Sequence, residues 1–169
     1  MRTPHASRGF TLIEVLVYIA LITLIMSSIV GYSLSLGGAR ARNYVVQNVQ
    51  SNGRVLLSTL GQQIRASALV STPAAGTSSN QLVLTMPSGS PGVVFSLSSG
   101  RVVMSVVGSP DVFLTDDRTT VSNLVFTNTA LAGERDSISI QAQVSYAAAA
   151  GDVGYSYSEQ LRTTETRRN

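Results

Sequence analysis

Residues 9–14 read Gly9-Phe10-Thr11-Leu12-Ile13-Glu14, and the chain runs on from them into an apolar stretch that ends at Val30. At about 1.5 Å per residue, positions 10–30 make a helix of roughly 31 Å, enough to span a bilayer core. A single carboxylate inside such a segment is energetically odd. At the centre of a transmembrane helix an acidic residue costs roughly 2.5–3.5 kcal/mol, less near an end, so Glu14 asks for a partner and a purpose.

Plainer readings compete. A secretory signal peptide, with Arg2 and Arg8 as its charged start, should have an apolar core of about 7–15 residues and a small-residue cleavage site. This run is longer, carries a glutamate, and offers only Ala39-Arg40-Ala41 as a late cleavage candidate. A single-pass anchor explains the length and leaves Glu14 and Gly9 as coincidences. A buried core helix of a soluble protein suits the segment less, given its length together with its all-round hydrophobicity.

The block Arg8-Gly9-Phe10 with Glu14 and the apolar run resembles the amino-terminal signature of type IV pilins and type II secretion pseudopilins. The likeness is closest over residues 2–30. It implies a leader, residues 1–9, removed after Gly9 by a prepilin peptidase on the cytoplasmic side, with methylation of the new amino terminus at Phe10. It places Glu14 where the family's acidic residue attracts a neighbouring subunit's amino terminus during filament growth. Two opposite charges in a dry environment attract strongly, and an unpaired one there is penalised, so the physics suits that role. The resemblance also implies other pilin or pseudopilin subunits and an inner-membrane assembly platform as partners. Membrane lipid would surround the chain before assembly, and a surface or periplasmic filament would hold it afterwards.

Charge adds little. Loss of Arg2 and Arg8 with residues 1–9 takes the formal net charge from +3 to +1, so no general electrostatic case for nucleic acid or acidic lipid survives. By arginine count the topology is a draw, because Arg40 and Arg42 oppose Arg2 and Arg8. The resemblance, which needs the cut site in the cytoplasm, decides it. The chain has no cysteine and hence no disulfide framework, and its one histidine, His5, falls in the leader.

Past Val30, Gly31, Gly37 and Gly38 predict a locally weak helix at a membrane boundary, with Tyr32 suited to the interface. A second helical segment follows over 39–68. Val45, Val49, Gly53, Leu56, Leu60 and Ile64 share one stripe, while Asn48, Arg54, Gln62 and Arg65 face elsewhere. Gly53 and Gly61 each cost about 1 kcal/mol relative to alanine, so this helix needs a partner surface. Residues 71–80 read as a Ser/Thr/Pro/Gly linker. Short strand-like runs then occupy 81–86, 93–97, 101–107, 112–115, 121–128, 137–146 and 155–162. Ser99-Gly100 reads as a hairpin turn, and Ile138, Ile140, Ala142, Val144 and Tyr146 share one face. The tail, 163–169, is polar and expected to be exposed.

The fold expected is therefore α+β. A long amino-terminal helix, with a membrane-spanning first half (10–30) and an amphipathic second half (31–70), packs on an antiparallel β-sheet head (71–169). This order is most similar to the minor pilins and J-type pseudopilins, with echoes in 62–67, 121–126 and 161–164.

Catalytic constellations do not emerge: there is no Gly-x-Ser-x-Gly elbow and, after maturation, no histidine. The expectation is a structural subunit, not an enzyme, with no cofactor. Asp111, Asp116 and Asp117 leave a calcium site open, without EF-hand spacing and against the alternative of a solvated loop. Arg162, Arg167 and Arg168 form a small basic tail patch for which nucleic acid is a conceivable partner, interrupted by Glu159 and Glu165 and lacking an interleaved aromatic platform. A tip adhesin, a DNA-binding pilin and a non-polymerising anchored β domain are the alternatives.

Overall fold

The computed structural model describes residues 10–87, 90–131, 133–147 and 156–168. In these, one helix, α1 (Leu12–Ala66), is followed by β1 (Leu69–Thr72), β2 (Ser78–Ser79), β3 (Leu82–Thr85), β4 (Val93–Ser98), β5 (Arg101–Val106), β6 (Val112–Phe113), β7 (Thr119–Asn128), β8 (Ser137–Tyr146) and β9 (Ser158–Thr166). The chain divides into two compact units, Met1–Arg42 and Asn43–Asn169.

The weak point expected at Gly31–Gly38 does not interrupt α1, which is one helix of 55 residues. Propagation explains this. A few glycines cost about 1 kcal/mol each, but ending and restarting the helix would incur a second unfavourable nucleation.

In the second unit the expected stripe is the buried one: Val45, Val49, Gly53, Leu56, Leu60 and Ile64 are all inaccessible. It joins a single core that draws on two antiparallel sheets. The first has the order β1-β3-β4-β5-β6, the second β2-β7-β8-β9. Val70, Leu82, Leu84, Phe95 and Val102 come from the first; Val121, Phe126, Ile138, Ile140 and Val144 come from the second. The alternation over 137–146 gives β8 its buried face at the expected positions, with Tyr146 half-buried. The β4–β5 hairpin turns at Ser99 and Gly100, with φ of 51° and 74°. Two successive left-handed residues make the type I′ turn that matches strand twist.

Three expectations are corrected. Where one sheet was expected there are two. The 71–80 segment carries the end of β1 and all of β2, because Ser78 and Ser79 pair with Thr127 and Phe126 on β7. The polar tail is not a free end, since β9 runs to Thr166 and pairs with β8 from Ser158↔Ser145 to Thr166↔Ser137. Along β9 the half-buried positions are Glu159, Leu161, Thr163 and Glu165. The period of two is intact, but polar residues on the inner face hide it from a hydrophobicity reading.

The helical glycines now have a reason. A Cβ on Gly53 would lie 3.1 Å from Leu161 Cδ1, and one on Gly61 would lie 2.9 Å from Glu165 Oε1. Both let β9 lie close to α1, and Arg65 on α1 binds Glu165 on β9 at 2.5 Å. Gly53→Ala should change stability by less than about 1 kcal/mol, because the gain in helix propensity offsets a small shift of Leu161. Gly53→Leu has no such space and should destabilise by about 1–3 kcal/mol through overpacking. Thermal unfolding followed by circular dichroism in detergent separates the two. Equal melting temperatures would mean that β9 is not seated on the helix.

Candidate functional site

The described part of the first unit opens with a capped helix. The Glu14 N–H donates to Thr11 Oγ1 at 3.4 Å and to the Thr11 carbonyl at 3.1 Å. Thr11 is thus the N-cap, and the exposed Glu14 sits in the first turn, where a carboxylate complements the helix dipole. The pattern Thr11-x-x-Glu14 matches a capping box, a local role for Glu14 that could have been read from the sequence alone. Phe10 packs edge-on against Tyr18, with ring centroids 6.3 Å apart.

Every residue from Phe10 to Gly37 is exposed. The helix is long and apolar enough to cross a membrane, and none of its most apolar window is buried. Two of its hydroxyls are satisfied within the helix: Thr23 donates to the Ile19 carbonyl at 2.7 Å and Ser28 to the Leu24 carbonyl at 3.2 Å. That is the arrangement a lipid environment demands. Ala20, Thr23, Ser27 and Ser28 lie with Leu24 along one side of it, a surface mostly of small residues on which another helix could pack closely. Gly9 and the leader lie outside the described residues.

In the acidic loop, Asp116 is tied to the helix. Asn48 Nδ2 donates to Asp116 Oδ2 at 2.9 Å, and the Arg118 N–H donates to Asp116 Oδ1 at 3.2 Å. The Asp116 N–H in turn donates to Asn52 Oδ1 at 3.0 Å, and Thr119 Oγ1 donates to Asn48 Oδ1 at 2.9 Å. Asn48 therefore does not face away from the head but ties α1 to the β6–β7 loop. Asp111 and Asp117 are exposed. Among the described residues no group of three or more His, Cys, Asp or Glu side chains is placed to hold a metal ion.

Of the tail arginines, Arg162 and Arg168 are exposed. Arg167 is not free: its Nε lies 3.6 Å from Asp136 Oδ2, an ion pair without a hydrogen bond, and its Nη1 donates to the Ala68 carbonyl. The structure thus leaves two of the three arginines on the surface.

The family model for the prokaryotic N-terminal methylation motif matches residues 4–30. The match supports a type IV pilin-like protein. No curated protein and no solved structure matches the chain. The matched segment and the long apolar helix fit a membrane-anchored pilin that is later assembled into a surface filament. The family is structural, and its motif implies processing by a peptidase and assembly with other pilin subunits.

In the β-rich head, Asp116 carries a pH signature. Burial pushes its carboxyl up, but Thr119, Asn48, Asn52 and the Arg118 N–H outweigh that and hold it below the ordinary 3.8. A carboxyl lowered by folding adds stability above its unfolded value, and that stability is lost as the pH falls through the folded value. Asp116→Asn should therefore destabilise by about 1–2 kcal/mol at neutral pH. The gap between the two melting temperatures should close as the pH drops below the ordinary 3.8. A gap that stays constant down to strongly acid pH would assign the loop anchor to groups other than the carboxylate.

Proposed function

We propose that the chain is a minor type IV pilin or pseudopilin, a filament subunit cut after Gly9, methylated at Phe10 and assembled through its amino-terminal helix. Residues 1–9 are the leader, 10–30 the membrane and polymerisation segment, 31–70 the helix that continues into the head, and 71–169 the β-rich head. Glu14 pairs with a neighbouring subunit's amino terminus and sets axial register. A prepilin peptidase, sister subunits and an inner-membrane assembly platform are its partners.

One coincidence carries this reading. The methylation motif spans 4–30, and a helix whose residues are all exposed as far as Gly37 starts within it at Leu12. An apolar surface of that extent has to be covered, by lipid first and by other helices afterwards.

The test is the intact mass and amino-terminal sequence of the protein from membranes, with and without a co-expressed prepilin peptidase. A chain starting at methylated Phe10 only when the enzyme is present is the expected result. A chain that keeps residues 1–9 in both cases makes it an ordinary anchor, and a cut near Ala41 makes it a secreted β domain.

A further inference from the structure

The second sheet has one face in the core and one turned outward, and the outward face has an unusual chemistry. In register across β7, β8 and β9 stand Ser122, Gln143 and Gln160, then Val125, Gln141 and Arg162, then Thr127, Ser139 and Thr164, although in this last row Ser139 is buried and Thr127 is hydrogen-bonded to Ser78 on β2. Apart from Val125 and Arg162, these nine positions carry only hydroxyls and carboxamides. The regular ladder is broken once. Between Ser122 and Val125 the pairing slips, and Asn123 takes a left-handed conformation with φ of 52°. Asparagine tolerates that region better than most residues, and the extra residue bends the strand locally. Beside the bulge lies a depression of about 270 Å³, lined by Asn123, Gln141, Gln143, Gln160 and Arg162 together with Ala142 and Leu161. Asn123 Nδ2 donates to Gln143 Oε1 at 3.3 Å, which leaves most of the four carboxamides' donors and acceptors open to a ligand.

We propose that this face binds a neutral polysaccharide chain, with one sugar unit seated in the depression beside Asn123. Three partner chemistries can be compared on the same residues. A nucleic acid needs several phosphates neutralised and aromatic faces for its bases, whereas the rows above offer one guanidinium and no aromatic side chain. A protein partner needs a desolvated apolar centre, and Val125 is the single apolar residue in the rows above. A polyhydroxylated chain needs neither. Each sugar hydroxyl both donates and accepts, as each carboxamide does, and the one guanidinium, Arg162, can donate to a sugar hydroxyl as well. The depression lies just under the size range of small-molecule sites, which suits a single ring more than an extended cofactor. The inference needs the folded head alone and stands whether or not the chain polymerises.

The experiment uses the full chain in detergent with cellohexaose and chitohexaose as probes, followed by saturation-transfer NMR. Binding to at least one hexaose with a dissociation constant of about 1 mM is expected, within reach of a few neutral hydrogen bonds. It should be unchanged between about 0.05 and 0.5 M salt, since no ion pair carries it. Gln143→Ala/Gln160→Ala should weaken it at least tenfold, with the far-UV circular dichroism spectrum unchanged; Gln160→Ala alone, at an exposed position, is the second variant should the double one fail to fold. No transfer to either hexaose at about 10 mM would overturn the proposal, that being far above the expected constant. So would binding that survives Gln160→Ala undiminished. A preference for an oligothymidylate that fades with salt and with Arg162→Ala would overturn it in favour of nucleic acid.

Discussion

Glu14→Leu is expected to leave membrane insertion intact and to abolish incorporation into filaments. The substitution removes a carboxylate whose burial in hydrocarbon costs up to roughly 3 kcal/mol, so insertion should improve if it changes at all. In the proposed filament the balance reverses. A neighbour's amino terminus buried without its counter-charge costs about 3–5 kcal/mol, and every 1.4 kcal/mol is a factor of ten in an association constant. The local role has to be separated from this one. Glu14 stands in the first turn of α1, three residues after the Thr11 cap. Its contribution to helix stability is about 0.3–1 kcal/mol, too little to dissolve a helix of such length. Glu14→Gln distinguishes the two, because glutamine serves a capping box and carries no charge. Membrane fractionation and recovery of sheared filaments are the readouts. If Glu14→Gln assembles like the unaltered chain, the carboxylate is only a cap. If both variants insert and neither assembles, the charge itself is what the filament uses.

Much of the architecture was legible in the sequence because hydrophobic periodicity writes it there. The stripe from Val45 to Ile64 and the alternation over 137–146 are buried as their spacing requires. The Ser99-Gly100 turn was legible for a different reason, since few residue pairs accept two left-handed conformations in succession. What escaped was held together by polar groups. The inner face of β9 carries Glu159, Thr163 and Glu165, so no apolar pattern announces it. The split into two sheets depends on which strands pair, and pairing is a tertiary property that alternation does not encode. Asp136 shows the same limit. It looks like an isolated loop acid, yet it meets Asn128, Val70 and Arg167, which lie far apart along the chain. For the amino terminus the position was the opposite. A short motif combining charge, glycine and apolar run was readable from the letters, while Glu14 shows no partner among the described residues that would reveal its role.

The largest loss of stability in the head is expected from Asn128→Ala. Asn128 is 1% exposed, and its side chain serves three groups. Its Nδ2 donates to the Pro73 carbonyl at 3.2 Å and to Asp136 Oδ1 at 3.0 Å, and its Oδ1 accepts from the Ala130 N–H at 3.2 Å. Asp136 extends the cluster to Arg167, which reaches the Ala68 carbonyl just before β1. Both sheets and the end of the helix are thereby joined through one polar node. Truncation to alanine strands several buried groups at once, at about 1–3 kcal/mol each before relaxation or water offsets part of it. A net cost of about 3 kcal/mol follows, or roughly a 10 °C fall in melting temperature for a head of this size. Arg167→Ala should cost less, about 1 kcal/mol, because Asp136 keeps Asn128 as a partner. Arg162→Ala, at an exposed position, should fall within about 0.5 kcal/mol of the unaltered chain. The order of the three melting temperatures is the decisive quantity. If Arg167→Ala proves as neutral as Arg162→Ala, the Asp136 pairing contributes nothing to the fold. Arg167 would then be available to a surface patch with Arg162 and Arg168, as the bare sequence suggests. If it ranks between the other two, that patch has lost its central charge to the structure.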